Sequence, residues 1–192
     1  MCYSNCIKKI ISLLFLISFL HAQKIETDFE YINEQHGLSH LVVHSIIQDN
    51  RGFMWFGTED GLNKYDGVSC KVYRANPDSL HSLGCNIITS LYEDKKGNIW
   101  IGTRNRGLDK FDPVTETFTH YRHNNIDKNS LSHEHIDFSS ICEDSSGILW
   151  IGTFGGGLNS LDIDKNKFTH YKHNENDPES ISHNSITNIH LA

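Results

Sequence analysis

Apolar residues fall along this chain in short runs, each closed by Gly, Asn, Asp or Ser. Between residues 83 and 130 the runs are Ile87 to Glu93, Asn98 to Thr103, Leu108 to Phe111 and Thr117 to Arg122. β-Branched and aromatic residues dominate them, turn formers bound them, and none sustains a helical period, so each predicts a strand. Asp94-Lys95-Lys96-Gly97 suits the hairpin between the first two. The Asp side chain can accept from backbone two residues on, and Gly takes a positive φ. Ile99-Trp100-Ile101 is apolar without alternation, which requires burial on both faces of its strand. Gly102, directly after, leaves room for another sheet to approach closely.

The same pattern occurs three times. Asp49-Asn50-Arg51-Gly52-Phe53-Met54-Trp55-Phe56-Gly57-Thr58 is matched by residues 94–103 and by residues 144–153, placing Trp55, Trp100 and Trp150 45 and 50 residues apart. Gly61-Leu62, Gly107-Leu108 and Gly157-Leu158 follow, then Tyr65-Asp66, Phe111-Asp112 and Leu161-Asp162. Val72-Tyr73, Phe118-Thr119-His120-Tyr121 and Phe168-Thr169-His170-Tyr171 come next, and the units end near Ser82, Ser130 and Ser180. The extra five residues of the longer period are expected between the motifs, in turns. Four strands in a unit of about 40–50 residues define a propeller blade. A β-sandwich or another solenoid is the rival, but a sandwich has no need of internal repetition. The expected fold is therefore all-β, a partial β-propeller of about three four-stranded blades. The units run over about 38–82, 83–130 and 131–180, and residues 181–192 supply the first strand of a fourth.

Residues 1–22 read as a signal peptide: Lys8-Lys9, the apolar run Ile10 to Leu20, then His21-Ala22-Gln23. The run is too short to span a bilayer as a helix, which takes about 20 residues. Export is expected, with the mature domain at 23–192. Cys2 and Cys6 lie in the leader, and Cys70, Cys85 and Cys142 form no paired framework. The formal net charge is −7, and removing the two leader lysines leaves −9, so a basic nucleic-acid footprint is absent.

The repeated residues resemble the two-component regulator propeller family, whose mark is Asp-x-x-Gly-x-x-Trp-[Ile/Phe]-Gly-Thr, then Gly-Leu, an aromatic-Asp pair and Phe-x-x-Tyr. The likeness covers residues 29 to the C-terminus, and the segment Phe29 to Ser39 resembles the family's opening, read as an outermost strand before the first blade. The resemblance implies the periplasmic sensor half of hybrid two-component histidine kinases of Bacteroidetes. It also implies oligosaccharide fragments as ligands, and membrane attachment only through downstream segments that this chain lacks. The repeat stops before a fourth Asp-x-x-Gly-x-x-Trp, which leads to the expectation of a truncated sensor. Its partners would be the missing blades or a second copy of the chain.

No nucleophile elbow, phosphate-cradling loop or EF-hand spacing stands out, and no cofactor or metal is expected. The tryptophans recur at one repeat position and read as packing between blades. His120/His123 and His170/His173 stand three apart, so on a strand they face opposite sides and cannot grip one metal. Binding is expected where the units differ. The loops after the second strands carry Glu59, then Arg104, Asn105 and Arg106, then Phe154. The long connections around residues 76–81 and 124–129 share their rim. Arginine and asparagine donors with a phenyl face suit an acidic or neutral sugar. Alternatives are a carbohydrate-active propeller enzyme, or a non-functional remnant of a longer sensor kinase.

Overall fold

The computed structural model describes residues 29–190. The first sheet is β1 (Val43–Gln48), β2 (Met54–Thr58), β3 (Gly61–Tyr65) and β4 (Cys70–Tyr73). The second is β5 (Ile88–Glu93), β6 (Ile99–Thr103), β7 (Leu108–Asp112) and β8 (Thr117–Tyr121). The third is β9 (Ile136–Glu143), β10 (Ile148–Thr153), β11 (Gly157–Asp162) and β12 (Lys167–Tyr171). Each is an antiparallel meander in chain order, and together they are three blades of a propeller.

The first hairpin of each blade explains the acidic end of the repeat. In blade 2, Asp94 accepts from the backbone N–H groups of Lys96 and Asn98 (both 2.9 Å) and from the Trp100 indole (2.9 Å). Asp49 accepts from Arg51 and Phe53 N–H and the Trp55 indole, and Asp144 from Ser146 and Ile148 N–H and the Trp150 indole. One carboxylate thus closes the turn and fixes the rotamer of the largest core side chain. The glycine between them has a φ of 82° to 91° in the three blades, a conformation costly for any residue with a Cβ. A second clasp closes the next turn: Thr58, Thr103 and Thr153 are fully buried, and each hydroxyl donates to the carbonyl of Gly61, Gly107 or Gly157 (2.8–2.9 Å).

Blades are joined by interlocking. A Cβ placed on Gly57 would lie 2.5 Å from Ile88 Cγ2, and one on Gly102 2.5 Å from Ile136 Cγ2. The first strand of each following blade seats its isoleucine in the gap left by a glycine. Trp55, Leu62, Ile88, Ile99, Ile101 and Phe111 form the core between blades 1 and 2, and Trp100, Leu108, Ile136, Leu149, Ile151 and Leu161 the core between blades 2 and 3. Trp55 and Trp100 are completely buried there, as their repetition implies. Trp150 stands at the same register but is only half-buried, in a tilted contact with Tyr171 at 5.5 Å beside an open cleft of about 460 Å³.

Three expectations change. Residues 29–42 hold no strand; the segment makes a short 3-10 turn (Glu34–His36) capped by Asn33, and Leu38 and Ile32 pack with Phe56 and Tyr65 of blade 1. Residues 182–190 also form no strand, although Ser185 bridges to Phe154 and Ile186 occupies the gap at Gly152. A first strand is completed by its own hairpin partner, and these residues have none among the described residues. Lastly, the longer period does not lie wholly in turns. Leu83 precedes Asp94 by 11 residues and Leu131 precedes Asp144 by 13, so two of the extra residues lie inside β9 as a bulge.

Gly102→Ala is expected to lower stability by about 1–3 kcal/mol through overpacking, measured by urea unfolding. On an Ile136→Ala background most of that loss should vanish, and an additive cycle would refute the interlock. Acid is expected to act on the hairpin carboxylates. Burial pushes the Asp49 carboxyl up, but the bonds from Trp55, Arg51 and Phe53 outweigh it and hold the group below its ordinary 3.8. Asp144 is lowered chiefly by the Trp150 indole, then by Ile148 N–H. A carboxylate lowered in the folded state contributes stability above its unfolded value and loses it as pH falls through the folded one. The urea midpoint should therefore fall as the pH drops below about 4. The fall should be shallower in Asp49→Asn/Asp144→Asn, and an unchanged slope would remove these groups from the acid response.

Candidate functional site

The threonine clasp that ends each second strand also sets the geometry of the rim. The residue following the threonine is Glu59 in blade 1, Arg104 in blade 2 and Phe154 in blade 3. Its backbone N–H donates to the carbonyl of Val42 (3.3 Å), Ile87 (3.2 Å) or His135 (2.9 Å). Each of these carbonyls belongs to the residue just before its blade's first strand. Three unlike side chains are thereby held at one equivalent position beside the inner strands. Asn105 and Arg106 are exposed in the same turn as Arg104, and Arg106 N–H is tied to the Thr103 hydroxyl at 3.1 Å. Asp60, in the blade 1 turn, pairs with Arg74 at 2.9 Å. The turns therefore gather the expected residues on one rim. Glu59 and Arg104 are half-buried there, and Phe154 is 52% exposed.

The inner strands bring further residues that sequence reasoning did not single out. Each first strand carries an extra residue opposite its partner: His44 in β1, Thr89 in β5 and Asp137 in β9. The His44 Nε2 lies 3.4 Å from Glu59 Oε1. In β9 the inserted pair Phe138-Ser139 follows Asp137, and Phe138 reaches the His44 ring of blade 1 at a centroid distance of 5.1 Å. The His135 ring makes a tilted contact with Phe154 at 5.3 Å. Burial lowers the His135 pKa, Asp137 opposes this, and His133 and Arg104 add to the lowering, so the imidazole is neutral at neutral pH. The spacing from Leu131 to Asp144, longer by two than in the other units, is the signal that locates the insertion.

Other candidates resolve into framework. His123 and His173 each donate to a backbone carbonyl, of Leu131 (2.7 Å) and Ile181 (2.8 Å), while His170 bonds the Ser130 carbonyl. His120 lies 2.8 Å from the buried carboxylate of Asp109. That carboxylate also pairs with Arg122 at 2.6 Å and accepts the Gly84 N–H at 2.7 Å. Blades 1 and 3 have Asn63 and Asn159 there, accepting from Ser39 and Ser132. A serine side chain at position 84 would strike the Arg122 guanidinium, so Asp109, Gly84 and Arg122 form one linked substitution. The long connections repeat as well: Asn76, Asn124 and Asn174 each donate N–H to a serine hydroxyl six residues on, at 3.0 Å. That recurrence marks them as scaffold.

Comparison with known proteins agrees with the architecture. The family model described as "Two component regulator propeller" matches residues 37–60, 82–105 and 130–155, one match per blade. Histidine kinase P4 of Formosa agariphila is 44% identical over 69 residues, 36% of this chain and 5% of that protein. Two solved extracellular domains from B. thetaiotaomicron also align. One, from a protein titled a hybrid two component system, is 32% identical with a TM-score of 0.72, over 81% of this chain and 21% of its own. The other, titled a one component system, is 25% identical with a TM-score of 0.66, over 83% and 20%. The chain thus spans about a fifth of the length of these structures and much less of the kinase. With one motif match in each blade, the matched segments are similar to the repeats of the two component regulator propeller family.

Proposed function

We propose that this chain is the non-catalytic, ligand-sensing propeller module of an exported sensor for two-component signalling, and that it takes an oligosaccharide fragment on the rim of the strand 2–3 turns. One observation carries this reading. Positions that the fold requires recur in all three blades, while the equivalent rim positions hold Glu59, Arg104 and Phe154, three different chemistries on the same backbone bond. A position that the fold leaves free is where recognition can be written. Arg104, Asn105 and Arg106 supply donors, and Phe154 an exposed aromatic face of the kind that stacks on the apolar face of a pyranose ring. The extracellular domains it resembles support export and sensing. Periplasmic placement follows from cleavage after Ala22, in a segment that lies outside the described residues. A downstream kinase, reached through a longer chain, would read the occupancy.

The test uses the full chain against cellohexaose, xylohexaose, laminarihexaose and tetragalacturonate, by calorimetry and by chromatography of the sugars. At least one sugar is expected to bind, with no new reducing ends. Arg104→Ala/Arg106→Ala/Phe154→Ala is expected to weaken binding about tenfold or more at an unchanged melting midpoint. New reducing ends would favour the enzyme, and the absence of any binding would overturn the sugar reading. Intact mass of protein purified from the periplasm should begin at Gln23; a mass that keeps residues 1–22 would overturn cleavage after Ala22.

A further inference from the structure

One sheet face of blade 3 is built like the faces that close the cores, yet no sheet lies over it among the described residues. Cross-strand pairing of Trp150 with Ser160, Asp162 with Lys167 and Leu158 with Tyr171 puts these side chains on that face. The same positions in blades 1 and 2 are covered by the blade that follows. Trp55, Leu62, Trp100 and Leu108 are fully buried, and Tyr73 and Tyr121 meet Phe111 and Phe168 of the next blade at centroid distances of 4.9 and 6.1 Å. In blade 3, by contrast, Trp150 and Leu158 are half-buried and Tyr171 is 40% exposed, beside the open cleft of about 460 Å³. An aromatic face of this kind, rimmed by charge, is a surface that associates.

The rest of the molecule decides how a second copy can cover it. That copy cannot follow on as a next blade. Its blade 1 face is closed by its own Leu38 and Ile32, packed with Phe56 and Tyr65. The gap at Gly152, where a following first strand would seat, is filled by Ile186. What the second copy does offer is the same open face, and that face is complementary to itself. Asp162 and Lys167 stand opposite each other on β11 and β12. Asp162 takes Lys165 at 2.7 Å, and Lys167 has no ion pair among the described residues. A two-fold axis running along the strands, between β11 and β12, sets Asp162 of each copy over Lys167 of the other and Leu158 over Tyr171. Opposite charges then flank an apolar centre on both halves.

We propose that this chain dimerises in solution through the blade 3 face, two copies related by that axis with Trp150 and Tyr171 of both at the centre. The contact is isologous, so it closes at the dimer. It does not depend on the rim-binding reading, since none of the side chains lining the cleft is a rim candidate. Sedimentation velocity of the full chain is expected to show a dimer at about 100 µM that dissociates at about 1 µM, as a small interface does. Tryptophan emission should move to shorter wavelength over the same range, because Trp150 is the half-buried indole among three. Tyr171→Arg is expected to weaken association about tenfold or more while melting within about 2 °C of the parent, since Tyr171 belongs to no buried core cluster. Lys167→Glu and Asp162→Lys should each associate about tenfold more weakly, and an equimolar mixture should recover a heterodimer, because both cross-pairs are restored. Tyr171→Arg decides the matter should Asp162→Lys, which loses the turn bond from Lys165 N–H, melt early. A monomer at every concentration overturns the proposal and leaves the face to a further blade or an unlike partner. A series that grows beyond the dimer overturns the two-fold, and a dimer that Tyr171→Arg leaves intact places the interface elsewhere. A folded mixture that associates no more tightly than its components refutes the paired charges.

Discussion

The structure depends on a missing side chain. Where Gly57, Gly102 and Gly152 stand, a methyl group would lie within 2.7 Å of an isoleucine from the segment that follows, so the sheets could not close to packing distance. Interiors tolerate little excess volume. The glycine is therefore what permits Ile88 and Ile136 to seat, and through them the two cores that bury Trp55 and Trp100. The aspartate clasp works from the other end of the same strand. It holds the tryptophan by its indole N–H, so the flat ring is already oriented when the next blade arrives. Inter-blade bonds then pin the hairpins: Glu93 accepts from Asn50 N–H, and Glu143 from Lys95 N–H.

This division of labour separates framework from surface. Asp, Gly, Trp, Thr and the turn glycine are each committed to a bond or a gap, in every blade. Little chemical freedom is left among them, and an enzyme built on these positions would have to break the fold to work. Glu59, Arg104 and Phe154 are tied to the sheet through their backbone N–H groups, a bond that does not depend on which side chain stands there. Blade 2 shows that even framework can be exchanged when its partners change together. Asp109 and Arg122 take over from a neutral asparagine–serine arrangement, and Gly84 makes the room.

The inserted pair in β9 has a different logic. A bulge re-aims side chains without ending a strand, and here it carries a phenyl ring from blade 3 to a histidine of blade 1. Residues of blades 1 and 3 meet because three inner strands converge, so the Phe138–His44 contact is a property of the assembled blades and of no single repeat.

Much of this was legible in the residues alone. The strands of the second unit were bounded to within one residue, because apolar runs and turn formers are local signals that each blade repeats. The meander, the burial of Trp55 and Trp100, and the gap at Gly102 followed from the same periodicity, since identical spacing in three units reflects one packing solution. Glu59, Arg104, Asn105, Arg106 and Phe154 were singled out as candidates by their failure to repeat. The contacts of Phe138 with His44 and of His135 with Phe154 were not legible, because both join residues distant along the chain, where spacing carries no information. The 3-10 turn at Glu34–His36 and the absence of a strand in residues 182–190 were missed for a related reason. A strand exists only with a neighbour to bond, and whether that neighbour is present is decided by tertiary structure.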